Sequence, residues 1–314
     1  MIGVRQVSPA ILLPFLLIAC GTEPATADRE QTIPPDRTKE TPDTDAHPPR
    51  SESTEYNDPV PVPYPVNTAG GEDSGFISPD GTVLHFWFTP DVSIPAESQL
   101  DDGVTGIWRT EHTGEAWSTP QRVLLQDSGK AALDGCEFVL GDTMWFCTAR
   151  EGYTGIHWFT ATWQGDNWDE WQEADFDPTY QVGELHISPD GSELYFHSYL
   201  EGGSGDLDIW VSPREGDSWG PPRNLAAVNS PVADGWPSLS PDGSELWFTR
   251  THGAPALYRS QRIDDGWSEP ELMFSGFAGE SSIDITGNVY FTHHFFDGGT
   301  MREADIYVAT PTGR

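Results

Sequence analysis

The chain reads as an all-β protein, and three observations carry that reading. The first is composition: 32 Gly, 27 Pro and 12% aromatic residues, 13 of them Trp, suit many short strands joined by tight turns and fit neither a helical bundle nor a coiled coil. The second is a period. Trp117, Trp168, Trp219 and Trp267 stand 51, 51 and 48 residues apart, each behind a polar turn. Nine residues before each lies another aromatic, Trp108, Phe159, Trp210 and Tyr258, and Tyr307 continues that series 49 residues on. The third is a turn. Three segments, 76–86, 186–196 and 238–248, share Ser-Pro-Asp-Gly between two strand-like runs. Proline presets φ at the second turn position and glycine accepts φ > 0 at the last, so each segment is a hairpin. Every unit then holds four short strands: two around the turn, a third such as 208–212, and a fourth after the Trp, such as 222–226. Five such units in tandem predict a five-bladed β-propeller of four-stranded antiparallel blades.

The elements follow in chain order. Residues 1–19 hold an apolar run, Ala10–Ala19 behind Arg5, too short to cross a bilayer and suited to a secretion signal. Residues 21–58 carry ten acidic and four basic residues, much Pro and Thr and hardly any large apolar side chain. They read as a disordered tether, because they bury too little to offset the entropy of ordering. As a flexible coil it would reach roughly 35 Å. Residues 59–314 form the propeller, with Gly141-Asp142 in place of the usual turn in the second unit and Thr286-Gly-Asn288 in the fifth. The fifth unit meets Arg314 before a fourth strand. Pro59–Asn67 precedes Gly71–Gly75 much as Pro221–Asn229 precedes Asp234-Gly235, so this N-terminal strand is expected to close the ring, its prolines keeping it at an edge.

Two resemblances add to this. Leu17-Ile18-Ala19-Cys20 resembles the lipobox of bacterial lipoproteins, which implies cleavage before Cys20, acylation of that residue and a lipid bilayer as partner. Gly21 rather than Asp then implies delivery to the outer membrane, on its periplasmic or cell-surface side. Gly235–Phe248 and Gly205–Ser212 resemble the WD40-like, Pro-Asp type propeller repeats of TolB-related bacterial proteins, over about 70–314. In that family an Asp at the Asp234 position often makes a structural hydrogen bond between blades.

Charge and motifs exclude several functions. Sixteen Lys+Arg against 50 Asp+Glu leave a formal charge of −34, with Lys39 and Lys130 the only lysines, so nucleic acid is not expected as a partner. A polytopic membrane protein would need more than 36% hydrophobic residues. No phosphate loop, dinucleotide fingerprint, nucleophile elbow or His-Glu-x-x-His appears. The inner strands open with Asp73, Asp134, Glu184, Asp234 and Glu280, one carboxylate per blade. Converging on the axis, they would bind a Ca²⁺ ion, share a proton or serve as structural acceptors. Loops on the same face bring Arg150, Tyr199, Arg250, His252, His293 and His294, and a long loop runs from Thr89 through Asp101-Asp102-Gly103. His293 and His294 are strand neighbours and must point to opposite sides. Cys136 and Cys147 are symmetric about Gly141-Asp142, which sets them opposite each other on a hairpin. Export favours a disulfide and the register opposes it, so a bond and two buried thiols both stay open.

The leading functional reading is a monomeric, membrane-anchored binding module that presents its acidic loop face to a protein, glycan or envelope ligand and needs no cofactor beyond a possible Ca²⁺. The second is a glycoside hydrolase, with Asp73 as base and Glu184 or Glu280 as acid, or else a polysaccharide lyase. Anchoring is directly testable: mass spectrometry should find an acylated Cys20 at the mature N-terminus, and Cys20→Ala should release the protein from membranes. An unmodified N-terminus beyond residue 21 would contradict it.

Overall fold

The structure, a computed structural model, describes residues 29–100, 102–264 and 266–313; the apolar run of 1–19, Cys20 and Asp101 lie outside the described residues. The local signal holds in detail at the turns. Gly81, Gly191 and Gly243 each donate a backbone bond of 2.8 Å to the Ser three residues back, at φ of +74°, +74° and +70°. The turn Asp is the lock: Asp80 Oδ1 accepts from Ser78 Oγ at 2.6 Å and from Thr82 Oγ1 at 2.7 Å, and Asp190 and Asp242 repeat the pattern. In the fifth unit Asp284 stands where the others have Ser, and its Oδ1 takes Thr286 Oγ1 at 2.7 Å. The turn survives with different chemistry.

The strands pair into five four-stranded antiparallel units. Unit 1 is Gly71–Ile77, Val83–Thr89, Gly106–Glu111 and Gln121–Arg122. Unit 2 is Ala132–Leu140, Thr143–Arg150, His157–Trp163 and Trp168–Glu173. Unit 3 is Leu185–Ile187, Glu193–Ser198, Asp208–Glu215 and Arg223–Asn224. Unit 4 is Ala233–Leu239, Glu245–His252, Ala254–Ile263 and Glu271–Ser275. Unit 5 is Ala278–Ile283, Val289–Asp297, Thr300–Ala309 and, from the other end of the chain, Val60–Pro61. Units 5 and 1 share one sheet through a single parallel pair, Ala304 with Gly71. No sheet closes on itself. Instead the innermost strands touch in succession, each with the next and the fifth with the first, so the fold is a β-propeller.

The periodic Trp residues are the cement between units. Trp117 meets Tyr290 of unit 5, Trp168 meets His85 of unit 1 and Trp267 meets Tyr195 of unit 3, with ring centroids 6.5, 6.0 and 6.1 Å apart. Trp219 packs in one cluster with Phe138 of unit 2. Each therefore buries a large apolar surface against the unit before it. The fifth such plug is Tyr56, 5.8 Å from Trp247 of unit 4.

Closure by the N-terminal segment is as expected: Val60 and Pro61 pair with Val308 and Tyr307. Asn67 Nδ2 donates to Ile306 O at 2.8 Å and its Oδ1 accepts from Ile306 N at 3.0 Å, as Asn229 does with Ile209 in unit 3.

The disordered tether is not what the structure shows for 29–58. These residues form a strap across the end of the ring where the innermost strands begin, and residues 20–28 of the expected tether lie outside the described residues. Arg50–Ser51 adds a strand to unit 4, Arg37 pairs with Asp91 of the long loop, and Lys39 pairs with Glu303 and Asp305. Asp45 meets His293 at 2.7 Å. Apart from Tyr56 and Ile33, the docking is held largely by ion pairs and backbone pairing, which is why composition did not reveal it. Among the described residues no helix is long and apolar enough to cross a membrane.

Arg29, 6% exposed, faces the fully buried Glu72 at 3.4 Å. Arg29→Met should strand that carboxylate and cost about 3–5 kcal/mol in urea unfolding at pH 8. The cost should shrink as the pH is lowered, because Glu72, raised by burial against the pull of Arg29, can then take a proton instead. A wild-type midpoint at pH 8 would contradict this role.

Candidate functional site

Four of the five innermost strands are bulged, the register with the second strand slipping between Asp73 and Phe76, Gly135 and Phe138, Gly235 and Ser238, and Gly279 and Ser282. The bulge residues Ser74, Cys136, Trp236 and Glu280 have φ of +50°, +55°, +52° and +56°. A bulge re-aims a side chain. These four, with Glu184 just ahead of Leu185–Ile187 and with Glu137, line a narrow axial cavity of about 50 Å³. The bulge also corrects the cysteine register: Cys147 lies opposite Gly135, not Cys136. The two cysteines are nonetheless bonded, with Cα atoms 5.4 Å apart.

The expected ring of five axial carboxylates divides in two. Asp134 and Asp234 precede the bulge by two residues and are fully buried. Asp134 Oδ1 accepts from Thr148 Oγ1 at 2.6 Å and pairs with Arg150 at 3.2 Å. Asp234 accepts from Ser230 N and Oγ at 2.6 and 2.7 Å and pairs with Arg250 Nε at 2.6 Å. Both arginines are spent on structure: Arg150 lies 4.2 Å over Phe159 and donates to Leu125 O, and Arg250 lies 4.7 Å over Tyr258 and donates to Val228 O. Neither offers its guanidinium to a ligand. In unit 1 the corresponding carboxylate is Glu72, and its guanidinium comes from the strap: Arg29 lies 4.8 Å over Phe88 and donates to Val66 O at 2.7 Å.

Asp73, Glu184 and Glu280 do meet at the axis, joined by Glu137 and His294. Asp73 Oδ2 is 3.4 Å from His294 Nε2, and Glu280 Oε2 accepts from Ser74 Oγ at 2.5 Å. Burial drives the Glu280 carboxyl well above its usual range, with the charges of Asp73 and Glu184 adding to it. Glu184 and Glu137 are pushed up to about 8, by burial first and then by neighbouring carboxylates. Asp73 is the exception: burial works to raise it, and the His294 charge and hydrogen bond outweigh that and hold it low. His294 in turn rises to about 9, Asp73 overcoming the opposite effect of burial. Charge is thus favoured on the Asp73–His294 pair and disfavoured on Glu137, Glu184 and Glu280.

Beside this cluster a cavity of about 710 Å³ opens between units 4 and 5. Trp236, Pro255, Phe277, Phe296 and Met301 form much of its wall, Glu280 and His294 its polar end, and His47 of the strap its rim. Of the other expected residues, Tyr199 is 72% exposed and His252 is exposed at the end of its strand; neither lines the cavity. His293 is fully buried against Asp45 and faces away from any ligand; its neighbour His294 is the one that reaches the axis. Sequence reasoning missed Glu137, Trp236 and His47. The bulge that turns Trp236 inward leaves no mark in an alternation pattern, and Glu137 hides behind the cysteine it follows.

No protein-family model and no curated protein matches the chain. Among solved structures it is similar to a gluconolactonase from Xanthomonas campestris, at 14% identity over 84% of this chain and 94% of that one, TM-score 0.47. It is also similar to an arabinanase from Bacillus subtilis, at 10% identity, 77% and 95% coverage and TM-score 0.45. A putative TolB from Agrobacterium tumefaciens follows at 15% identity, 86% and 92% coverage and TM-score 0.43.

The buried acids set the pH dependence of stability. Glu137 and Glu184, moved from 4.5 to about 8, keep protons that the unfolded chain releases, so their contribution is whole below 4.5 and is lost as pH climbs through 8. His294, moved from 6.5 to about 9, loses its contribution over that interval. The buried neutral His85, His186 and His197, lowered by burial to about 3, 3 and 4, act in the opposite sense, but only below 6.5. Unfolding free energy should therefore fall between pH 6.5 and 9, and the slope should be shallower in Glu137→Gln/Glu184→Gln. A double variant with the wild-type slope would refute this assignment.

Proposed function

We propose that the chain is an exported, lipid-anchored propeller that binds a small ligand, of carbohydrate character, in the cavity between units 4 and 5. The observation that carries this reading is the cavity itself: about 710 Å³, walled by aromatic and apolar side chains, with two polar groups converging at one end. That is the usual anatomy of a small-molecule site. Aromatic faces such as Phe277 and Trp236 suit the C–H face of a sugar ring, and Glu280 and His294 place polar groups where sugar hydroxyls would meet them. Within this proposal the repeats are of the WD40-like, TolB-related type, and Cys20 carries the lipid at the outer membrane. The nine residues from Cys20 to Arg29 can span no more than about 30 Å. The docked strap would therefore hold the cavity-bearing end of the ring near the bilayer rather than far above it.

A second reading rests on one feature, the approach of Asp73 and Glu280, whose ligand atoms lie within 4.8 Å of each other. Paired carboxyls about 5–5.5 Å apart serve retaining glycoside hydrolases. A glycan array followed by calorimetry separates the two readings. Phe277→Ala should weaken binding of the selected sugar about tenfold, near 1.4 kcal/mol, with no turnover of aryl glycosides by the wild type. Turnover that vanishes in Glu280→Gln would move the assignment to the hydrolase. An array without a single binder would remove the sugar-binding proposal.

A further inference from the structure

We propose that the polar end of the cavity is a divalent-cation site, with Asp73, Glu280 and His294 as protein ligands and a zinc or manganese ion as occupant. One ligand atom from each of the three lies within 4.8 Å of the other two. The pair Asp73 Oδ2 and His294 Nε2, at 3.4 Å, is long for a charge-assisted hydrogen bond, for which about 2.7–2.9 Å is usual. It is the edge expected of a coordination tetrahedron with bonds of about 2.1 Å.

The ligands are oriented from behind, as metal ligands generally are. Ser74 does this for both carboxylates: its N–H donates to Asp73 Oδ1 at 2.9 Å and its hydroxyl to Glu280 Oε2 at 2.5 Å, which leaves the second oxygen of each for the ion. The His294 ring is steadied by the Phe277 backbone.

An independent observation lies in the adjoining axial cavity, which Glu280 also lines. Glu137 is only 5% exposed, and neither of its carboxylate oxygens has a hydrogen-bond partner. A buried polar group without a partner asks for an unseen water or ion, and Glu137 lies near enough to Asp73 to feel its charge. The imidazole nitrogen decides the kind of ion. Calcium, which an all-carboxylate axis would suit, takes oxygen ligands, whereas zinc and manganese accept this mixed set. Three protein ligands leave at least one coordination position open toward the cavity, where a hydroxyl or carboxylate of a bound molecule would sit.

The site stands or falls separately from the sugar-binding proposal, because cation binding is read directly. Titration of the chelator-treated full chain against a chromophoric competitor should give one tightly held Zn²⁺ or Mn²⁺ per chain, with Ca²⁺ at least tenfold weaker. His294→Gln and Asp73→Asn should each lower the affinity at least tenfold, while His252→Gln leaves it unchanged. Should those variants misfold, X-ray absorption on the zinc-loaded wild type provides the check, with one imidazole and oxygen donors in the first shell expected. Absence of stoichiometric Zn²⁺ or Mn²⁺, tighter binding of Ca²⁺, full binding by folded His294→Gln, or a first shell without imidazole would each overturn the proposal.

Discussion

A propeller is a ring whose ends must be joined, and here one N-terminal segment makes the joint. Without it, unit 5 would expose the edge of Thr300–Ala309 and unit 4 the ring of Trp247, one an unpaired strand and the other an uncovered apolar face. Tyr56 covers Trp247, Val60–Pro61 pairs with the open edge, and Asn67 ties both backbone groups of Ile306. These three contacts reproduce, from the far end of the chain, what Trp267, Glu271–Ser275 and Asn229 do within units. The axial cluster depends on the joint, because Asp73 comes from unit 1 while Glu280 and His294 come from unit 5.

The strap extends the joint by electrostatics. A chain with 16 basic residues and 50 acidic ones has few cations to place, and many go inside. Arg259, 4% exposed, is shared among Glu55, Glu245 and Glu271. Lys39 answers Glu303 and Asp305, and Arg29 answers Glu72. A buried carboxylate is tolerable only when paired or protonated. Spending cations on pairing leaves the outer surface acidic, which suits solubility and repels polyanions. It also divides the inward-facing carboxylates: Glu72, Asp134 and Asp234 each have an arginine, and Glu137, Glu184 and Glu280 at the axis have no arginine or lysine at ion-pair distance among the described residues.

Most of the fold was legible because its signals are local. The Ser-Pro-Asp-Gly turns, the periodic Trp and the pairing of 59–67 with the last unit all rest on short-range chemistry repeated several times. Even the strap left a trace, since Tyr56-Asn-Asp-Pro59 has the spacing of Trp117-Ser-Thr-Pro120 and Trp267-Ser-Glu-Pro270. The site was less legible. Three of its four carboxylates were found and Glu137 was missed, while Asp134 and Asp234 were grouped with Asp73, Glu184 and Glu280, because a short offset across a bulge is invisible to a pattern of one acid per strand. His293 and His294 were not told apart, for want of any signal to say which face of Val289–Asp297 meets the axis. Disorder was expected of 29–58 because its docking uses ion pairs with residues far along the chain, such as Glu72, Asp91, His293 and Glu303, which composition cannot sense.

Among the described residues the axis gathers several departures from ordinary packing at one place. Most of the core buries aromatic and aliphatic side chains. At the axis four bulge residues adopt positive φ, a conformation that costs a non-glycine residue on the order of 1–3 kcal/mol, and three carboxyls are held in conditions that disfavour their charge. A purely structural axis would gain nothing from carboxyls whose charge burial disfavours, and apolar residues there would avoid that cost. Local rules broken together at one place, beside a cavity with aromatic walls, are the usual mark of a working site. The strain at Ser74 and Glu280 is useful in a specific way: it aims one side chain from each of two neighbouring units across the joint, so that the groups meeting a ligand or an ion are assembled only when the ring is closed.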